Sequence, residues 1–303
     1  MATVEEGRFR GEPAVILRSG PLAATFLPGL GMTGVSLRYR GTEFLALPGG
    51  LPALRAGATL GLPLLAPWAN RLASRRYRAA GVEVDLGALD LTTDGNGLPI
   101  HGFVVGQPGW QLERQSTRGE MARVVAARSV DAPAFPFPHH LEVALRARPP
   151  ALHVDTTLRP TGRRAVPVAF GWHPYLRLAS APRREWRLRL PAREHLALDA
   201  RGIPTGARTP ELAEDAPIGR RRFDDLYALG RDRRLRLTAP DGASIELHSG
   251  AAYPFAQVWV PAGRPFAALE PMAAATNALV DGAEPVVRPG DAFTASYALR
   301  LDA

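Results

Sequence analysis

Cysteine and lysine are both missing from this 303-residue chain. Without cysteine there can be no disulfide, no thiolate metal site and no cysteine nucleophile, and the redox compartment stays undetermined. Without lysine, all 37 basic residues are arginine, which points to genomic codon bias before any polyanionic partner, despite a formal net charge of +8 and a pI near 10.7. The basic clusters, Arg75-Arg76 with Arg78 and Arg220 to Arg222, are short and lie beside acidic stretches, so they read as solvated surface rather than a nucleic-acid patch. Long apolar runs are also lacking. The most apolar stretch, 56–69, is shorter than the roughly 20 residues a membrane helix needs, and Pro63 and Pro67 interrupt it. The opening Met-Ala-Thr-Val-Glu-Glu has no basic segment followed by an apolar core. The expectation is a cytoplasmic protein with no membrane or nucleic-acid partner.

What is present is a globular composition. Hydrophobic residues make up 46% and charged residues 22%, with a mean hydropathy of −0.08, so the chain can bury a core and is too weakly charged to stay disordered. Where periodicity is clear it is that of strands: Ala14 to Leu17, Leu22 to Leu27 and Val35 to Tyr39, each bounded by Gly or Pro. Leu141, Val143 and Leu145 alternate with polar neighbours, Pro149-Pro150 break the run, and Leu152 to Leu158 alternates again, which predicts a hairpin. A second hairpin is predicted from Leu235 and Leu237 through Pro240-Asp241-Gly242 to Ile245 and Leu247. Further strands are expected at Trp186 to Leu190, Ala256 to Val260 and Phe266 to Leu269. No amphipathic helices alternate with them, and the 29 Pro and 30 Gly are spread along the chain without marking a boundary. The expected fold is all-β, a single large antiparallel β-sandwich over residues 1–303.

Few residues stand out chemically. Gly171-Trp172-His173-Pro174-Tyr175 sets an imidazole between aromatics, with Pro174 biasing His173 toward an extended backbone. His173 is either a sugar contact or a partly buried histidine bonded to a backbone carbonyl. Ile100-His101-Gly102-Phe103 is similar, or simply a turn, with Gly102 permitting close backbone approach. Glu270 closes an apolar strand, where a charge is costly unless paired or used; alternatively it is an edge-strand carboxylate facing water, with Pro271 ending the strand. Asp224-Asp225 before Tyr227 is a pair of acids that usually caps a turn, and Asn70-Arg71 sits in an apolar, Pro-rich segment where the Arg stem could simply pack. No metal signature appears, since His139-His140 are adjacent and point to opposite faces of a strand. Nucleotide fingerprints, phosphate loops and Gly-x-Ser-x-Gly elbows are missing too. Histidines, carboxylates, arginine and aromatics suit a polyhydroxylated neutral ligand.

Taken together and in order over residues 61–277, these segments resemble the aldose 1-epimerase (galactose mutarotase) family. Ala69-Asn70-Arg71 is similar to its Ala-Asn-Arg motif and His101-Gly102 to its His-Gly motif. His173-Pro174-Tyr175 resembles the segment bearing its catalytic histidine, Phe223 to Tyr227 the segment with its substrate-binding aspartate, Leu269 to Met272 the segment with its catalytic glutamate, and Ile203-Pro204-Thr205-Gly206 its Ile/Leu-Pro-Thr-Gly turn. The resemblance implies a galactose mutarotase-like sandwich and a mutarotase that needs neither cofactor nor metal. Glu270 would take the proton of the C1 hydroxyl while His173 protonates the ring oxygen, and the open-chain aldehyde would rotate and reclose. Asn70, Arg71, His101 and Asp224 would hold the free aldose, Asp224 being preferred to Asp225 for its spacing from Tyr227. This chain departs from the family's better-known pattern at Gly171-Trp172 before His173, at Phe103 after His101-Gly102 and at Pro67-Trp68 before Ala69, so Trp68, Trp172 or Phe103 is expected to stack on a different aldose. Other readings on the same fold are a non-catalytic sugar-binding or sensory protein, and a hexose-6-phosphate 1-epimerase with a further arginine at the pocket mouth. A monomer or homodimer is expected.

Overall fold

A computed structural model describes residues 1–303. It contains 26 β-strands and two short α-helices, Gly50–Arg55 and Ala278–Asp281. No helix is long and apolar enough to cross a membrane. The expected strands are present at Glu12–Ser19, Leu22–Leu27, Thr33–Tyr39, Arg187–Leu190, Phe255–Val260 and Ala267–Met272. Both hairpins form: Phe135–Arg148 pairs with Ala151–Pro160 across Pro149-Pro150, and Arg234–Thr238 pairs with Ser244–Ser249.

Two large antiparallel sheets dominate. A nine-stranded sheet has Phe293–Asp302 and Ala151–Pro160 near its centre, and an eight-stranded sheet runs from Pro204–Glu211 through Phe223–Leu229, Phe255–Val260 and Ala267–Met272 to Leu64–Leu65. A five-stranded sheet of the first 43 residues completes the assembly. Alternation along each strand sends every second side chain inward, and a core of 68 buried residues collects contributions from Val15 to Leu301. The indole of Trp172 fixes the two large sheets together: from the eight-stranded sheet it donates to Thr156 Oγ1 on the nine-stranded one at 2.9 Å. That bond satisfies a buried donor whose loss would cost about 1–3 kcal/mol.

Pro271 does not end its strand. Ala267–Met272 lies inside the eight-stranded sheet, pairing along its length with Phe255–Val260. Its other neighbour is broken: Gly171 pairs with Met272 and Tyr175 with Ala268, while His173 and Pro174 between them have no partner in the ladder. A proline lacking its N–H is tolerated opposite such a gap. The interrupted segment hands its amides to a third stretch of chain, His173 N–H to Pro63 O at 3.1 Å and Tyr175 N–H to Gly61 O at 2.7 Å. The break turns His173 and Glu270 toward each other at the middle of the sheet.

Candidate active site

Asn70, Arg71, His101, His173, Asp224 and Glu270 all line one cavity of about 200 Å³. They come from separate segments, and each is delivered by a local feature. Along the sheet, Asp224 stands opposite Trp259 and Gln257 opposite Glu270, so one face presents all four. The same alternation turns Asp225 the other way, where its carboxylate meets His195 at 3.3 Å. Alternation also separates neighbours at 172 and 173: Trp172 goes to the core at 0% exposure and His173 to the cleft.

Asn70 and His101 both adopt left-handed backbone, with φ of 58° and 62°. Outside glycine that conformation is costly and recurs at functional sites. Here the two lock together: the His101 amide donates to Asn70 O at 3.0 Å, and the Asn70 amide donates to His101 Nδ1 at 3.2 Å. Accepting at Nδ1 leaves the proton of neutral His101 on Nε2, as a donor for a ligand oxygen. Gly102 is required beside it, since a Cβ there would stand 2.1 Å from Ala66 O. Arg71 is held by Asp94, whose Oδ2 accepts from Nε at 2.7 Å, and by Asn70 Oδ1 at 3.0 Å from Nη1, while Asp224 lies 4.0 Å away.

His173 Nε2 lies 3.3 Å from Glu270 Oε1, with both side chains almost wholly buried. The imidazole stacks on Tyr175 at 4.4 Å and 14°, and meets Trp259 edge-on at 5.7 Å and His101 at 5.6 Å. Tyr175 is pinned in turn through its hydroxyl to Thr59 Oγ1 at 2.6 Å. Burial pushes the Glu270 carboxyl well above the usual carboxylate range; the charge of Asp224 adds to this and Arg71 opposes it. Burial holds His173 well below the usual histidine range, with His101 adding. His101 is lowered to about 3, by burial first and Arg71 second. Burial therefore favours the uncharged form of both groups and draws their proton affinities toward each other. Glu270 Oε2, His173 Nδ1 and Gln257 Oε1 are buried without a hydrogen-bond partner, an unusual concentration of unmet polar atoms that is characteristic of a functional site.

Three cleft residues, Thr59, Gln257 and Trp259, were not singled out by sequence reading. Gln257 donates through Nε2 to Asp224 Oδ1 at 2.7 Å, and Trp259 supplies the cleft's aromatic wall. Their signal was the alternation of Gln257 and Trp259 with buried Ala256, Val258 and Val260. The aromatic expectation needs correction: Trp68 and Trp172 are 1% and 0% exposed and cannot stack on a sugar, and Phe103 lines an adjoining cavity rather than the cleft.

The aldose 1-epimerase family model matches residues 53–300. Among solved structures, a galactose mutarotase-like protein from Clostridium acetobutylicum superposes with a TM-score of 0.86 at 15% identity, covering 99% of this chain and 98% of that one. A galactose 1-epimerase from Lactobacillus acidophilus NCFM gives 0.79 at 13% identity, covering 100% and 98%. An aldose epimerase homologue from C. elegans gives 0.77 at 15% identity, covering 100% and 99%. No curated protein sequence matches the chain. At these identities the structural likeness speaks for the galactose mutarotase-like fold.

Proposed function

The chain belongs to the aldose 1-epimerase family, and from that membership and the cleft we propose that it is a mutarotase acting on a free aldose, with His173 and Glu270 as its acid and base. The observation that carries this reading is the buried 3.3 Å contact between His173 Nε2 and Glu270 Oε1 in an otherwise open, polar cleft. Anomer exchange moves one proton off the C1 hydroxyl and one onto the ring oxygen, atoms bonded to the same carbon. An acid and a base side by side match that demand. In the reactive tautomer Glu270, as carboxylate, takes the C1 hydroxyl proton while His173, as imidazolium, protonates the ring oxygen. The C1–ring-oxygen bond breaks, the aldehyde rotates, and reclosure on its other face runs the transfers in reverse. Nothing is consumed.

The remaining groups hold the ring during this cycle. His101 Nε2–H and Arg71 donate to sugar oxygens, while Asp224, Gln257 Oε1 and Asn70 accept from or orient its hydroxyls. Arg71 is the only guanidinium lining the cleft, and Asp94 and Asn70 already engage it. An unphosphorylated sugar suits that arrangement better than a sugar phosphate, which needs uncommitted cations. Polarimetry of freshly dissolved α-aldoses tests the proposal: the optical rotation should relax faster with enzyme than in buffer. Saturable sugar binding with no acceleration would replace it with the sugar-binding reading.

A further inference from the structure

Behind the aromatic wall of the cleft lies another cavity, of about 570 Å³, a size that accommodates a small organic ligand. It shares no lining residue with the cleft. Phe266 lines this cavity while its ring packs on Tyr175 at 5.2 Å and on Trp259 at 5.7 Å, the two rings that face the cleft. A group bound here is therefore screened from His173 and Glu270 by three aromatic side chains.

Charge in this cavity is of one sign. Arg177, Arg183 and Arg264 line it, and no carboxylate does. Glu185, two residues from Arg183, is paired instead with Arg184 at 3.4 Å. Arg177 Nε is buried without a hydrogen-bond partner, a deficit that an acceptor would relieve. Arg183 gives Nη1 to the carbonyl of Pro261, and burial lowers its basicity with no carboxylate to offset the loss. Three cations in one concavity repel one another unless an anion joins them. A carboxylate has two oxygens to share among three guanidiniums, whereas a phosphomonoester dianion has three and carries more charge.

The remainder of the wall is apolar. Leu47, Pro48, Pro182 and Pro265 present partly or fully exposed surface to it. Apart from the arginines, the only polar side-chain atom in the wall is Trp186 Nε1, which already donates to Ala181 O at 2.9 Å. A polyhydroxylated body would find few partners here. An aromatic body would stack on proline rings and guanidinium planes.

We propose that this cavity is a binding site for an aryl phosphate, a phosphomonoester on an aromatic body, with its phosphate held by Arg177, Arg183 and Arg264 and its ring against Leu47, Pro48, Pro182 and Pro265. The site is separate from anomer exchange and does not depend on that reading.

Calorimetric titration with phenyl phosphate tests it. One molecule per chain should bind, about tenfold or more tighter than inorganic phosphate, glucose 6-phosphate or benzoate, which lack in turn the ring, the apolar body and the third oxygen. Arg264→Glu, at an exposed position, should weaken binding by about tenfold or more, and Arg177→Ala should do the same. If Arg177→Ala lowers the unfolding temperature, Arg264→Glu decides alone. Arg118→Glu makes the same charge change at an exposed position on Gln111–Arg118, the far edge of the nine-stranded sheet, and should leave binding unchanged. Glu270→Gln should also leave it unchanged. No saturable binding of phenyl phosphate would overturn the inference, as would equal affinity for any of the three comparison anions. Loss of binding in Glu270→Gln would move the ligand into the cleft and reject the site, and equal weakening by Arg118→Glu and Arg264→Glu would reduce it to diffuse charge.

Discussion

His139 and His173 are buried to nearly the same depth, at 1% and 5% exposure, and burial depresses the basicity of both. Their surroundings differ. His139 Nδ1 bonds the carbonyl of Phe137 at 2.7 Å, its ring packs edge-on against Phe135, and no carboxylate lies beside it. His173 has an unpartnered Nδ1, a carboxyl 3.3 Å from Nε2 and a cleft in front of it. Burial alone does not mark a functional histidine. What separates the two is unfinished hydrogen bonding next to a group of opposite proton affinity, open to a ligand.

Glu270→Gln and His173→Ala should break the comparison most sharply, each lowering kcat for anomer exchange by about 10²–10⁴-fold, the usual range for a lost general acid or base, with unfolding temperatures near wild type. Unchanged rates would remove the pair from the mechanism. His139→Ala should do the reverse, costing about 2–5 kcal/mol in denaturant unfolding through the cavity it leaves and sparing kcat of the folded enzyme. A matching fall in kcat would erase the distinction between the two histidines.

Protonation tests the same contrast. The folded-state pKa of His139 is lowered from 6.5 to about 4, so its contribution to stability is complete above pH 6.5 and is lost as pH falls toward 4, on the order of 3 kcal/mol. Thermal unfolding across that window should show the loss, and His139→Ala should flatten it. For His173 and Glu270 the readout is activity. Because burial lowers the imidazole and raises the carboxyl, the acid limb of kcat/KM should lie below pH 6.5 and the alkaline limb above the usual carboxylate range. An acid limb at or above pH 6.5 would show that the free enzyme's imidazole is not depressed. The smallest effect is expected at Gln257→Ala, a rise in KM of about tenfold from one lost hydrogen bond to substrate, with kcat nearly unchanged.

Much of the fold was legible because its strands alternate cleanly, as at Leu141 to Leu158. Met121–Ala132 was not, since Val124 and Ala126 are buried on one face and Val125 and Ala127 on the other, which removes the period of two. Gln111–Arg118 was hidden for the opposite reason: polar and largely exposed, it is a strand because Met121–Ala132 pairs with it. At the site, His173, Glu270, Asn70, Arg71, His101 and Asp224 were readable as motifs in order. Gln257 and Trp259 looked like ordinary strand residues, and Trp68 and Trp172 like ligand platforms.

By itself the sequence determined the strand-rich class, the two hairpins and the family, because alternation, turn residues and ordered motifs are local properties of the chain. Only the tertiary structure decided that His173 meets Glu270 and that Trp172 belongs to the core while Trp259 belongs to the cleft. The physical reason is that residues far apart in the chain converge only through sheet register. One step of register decides which face of a strand a side chain occupies, and so whether it meets solvent, substrate or core.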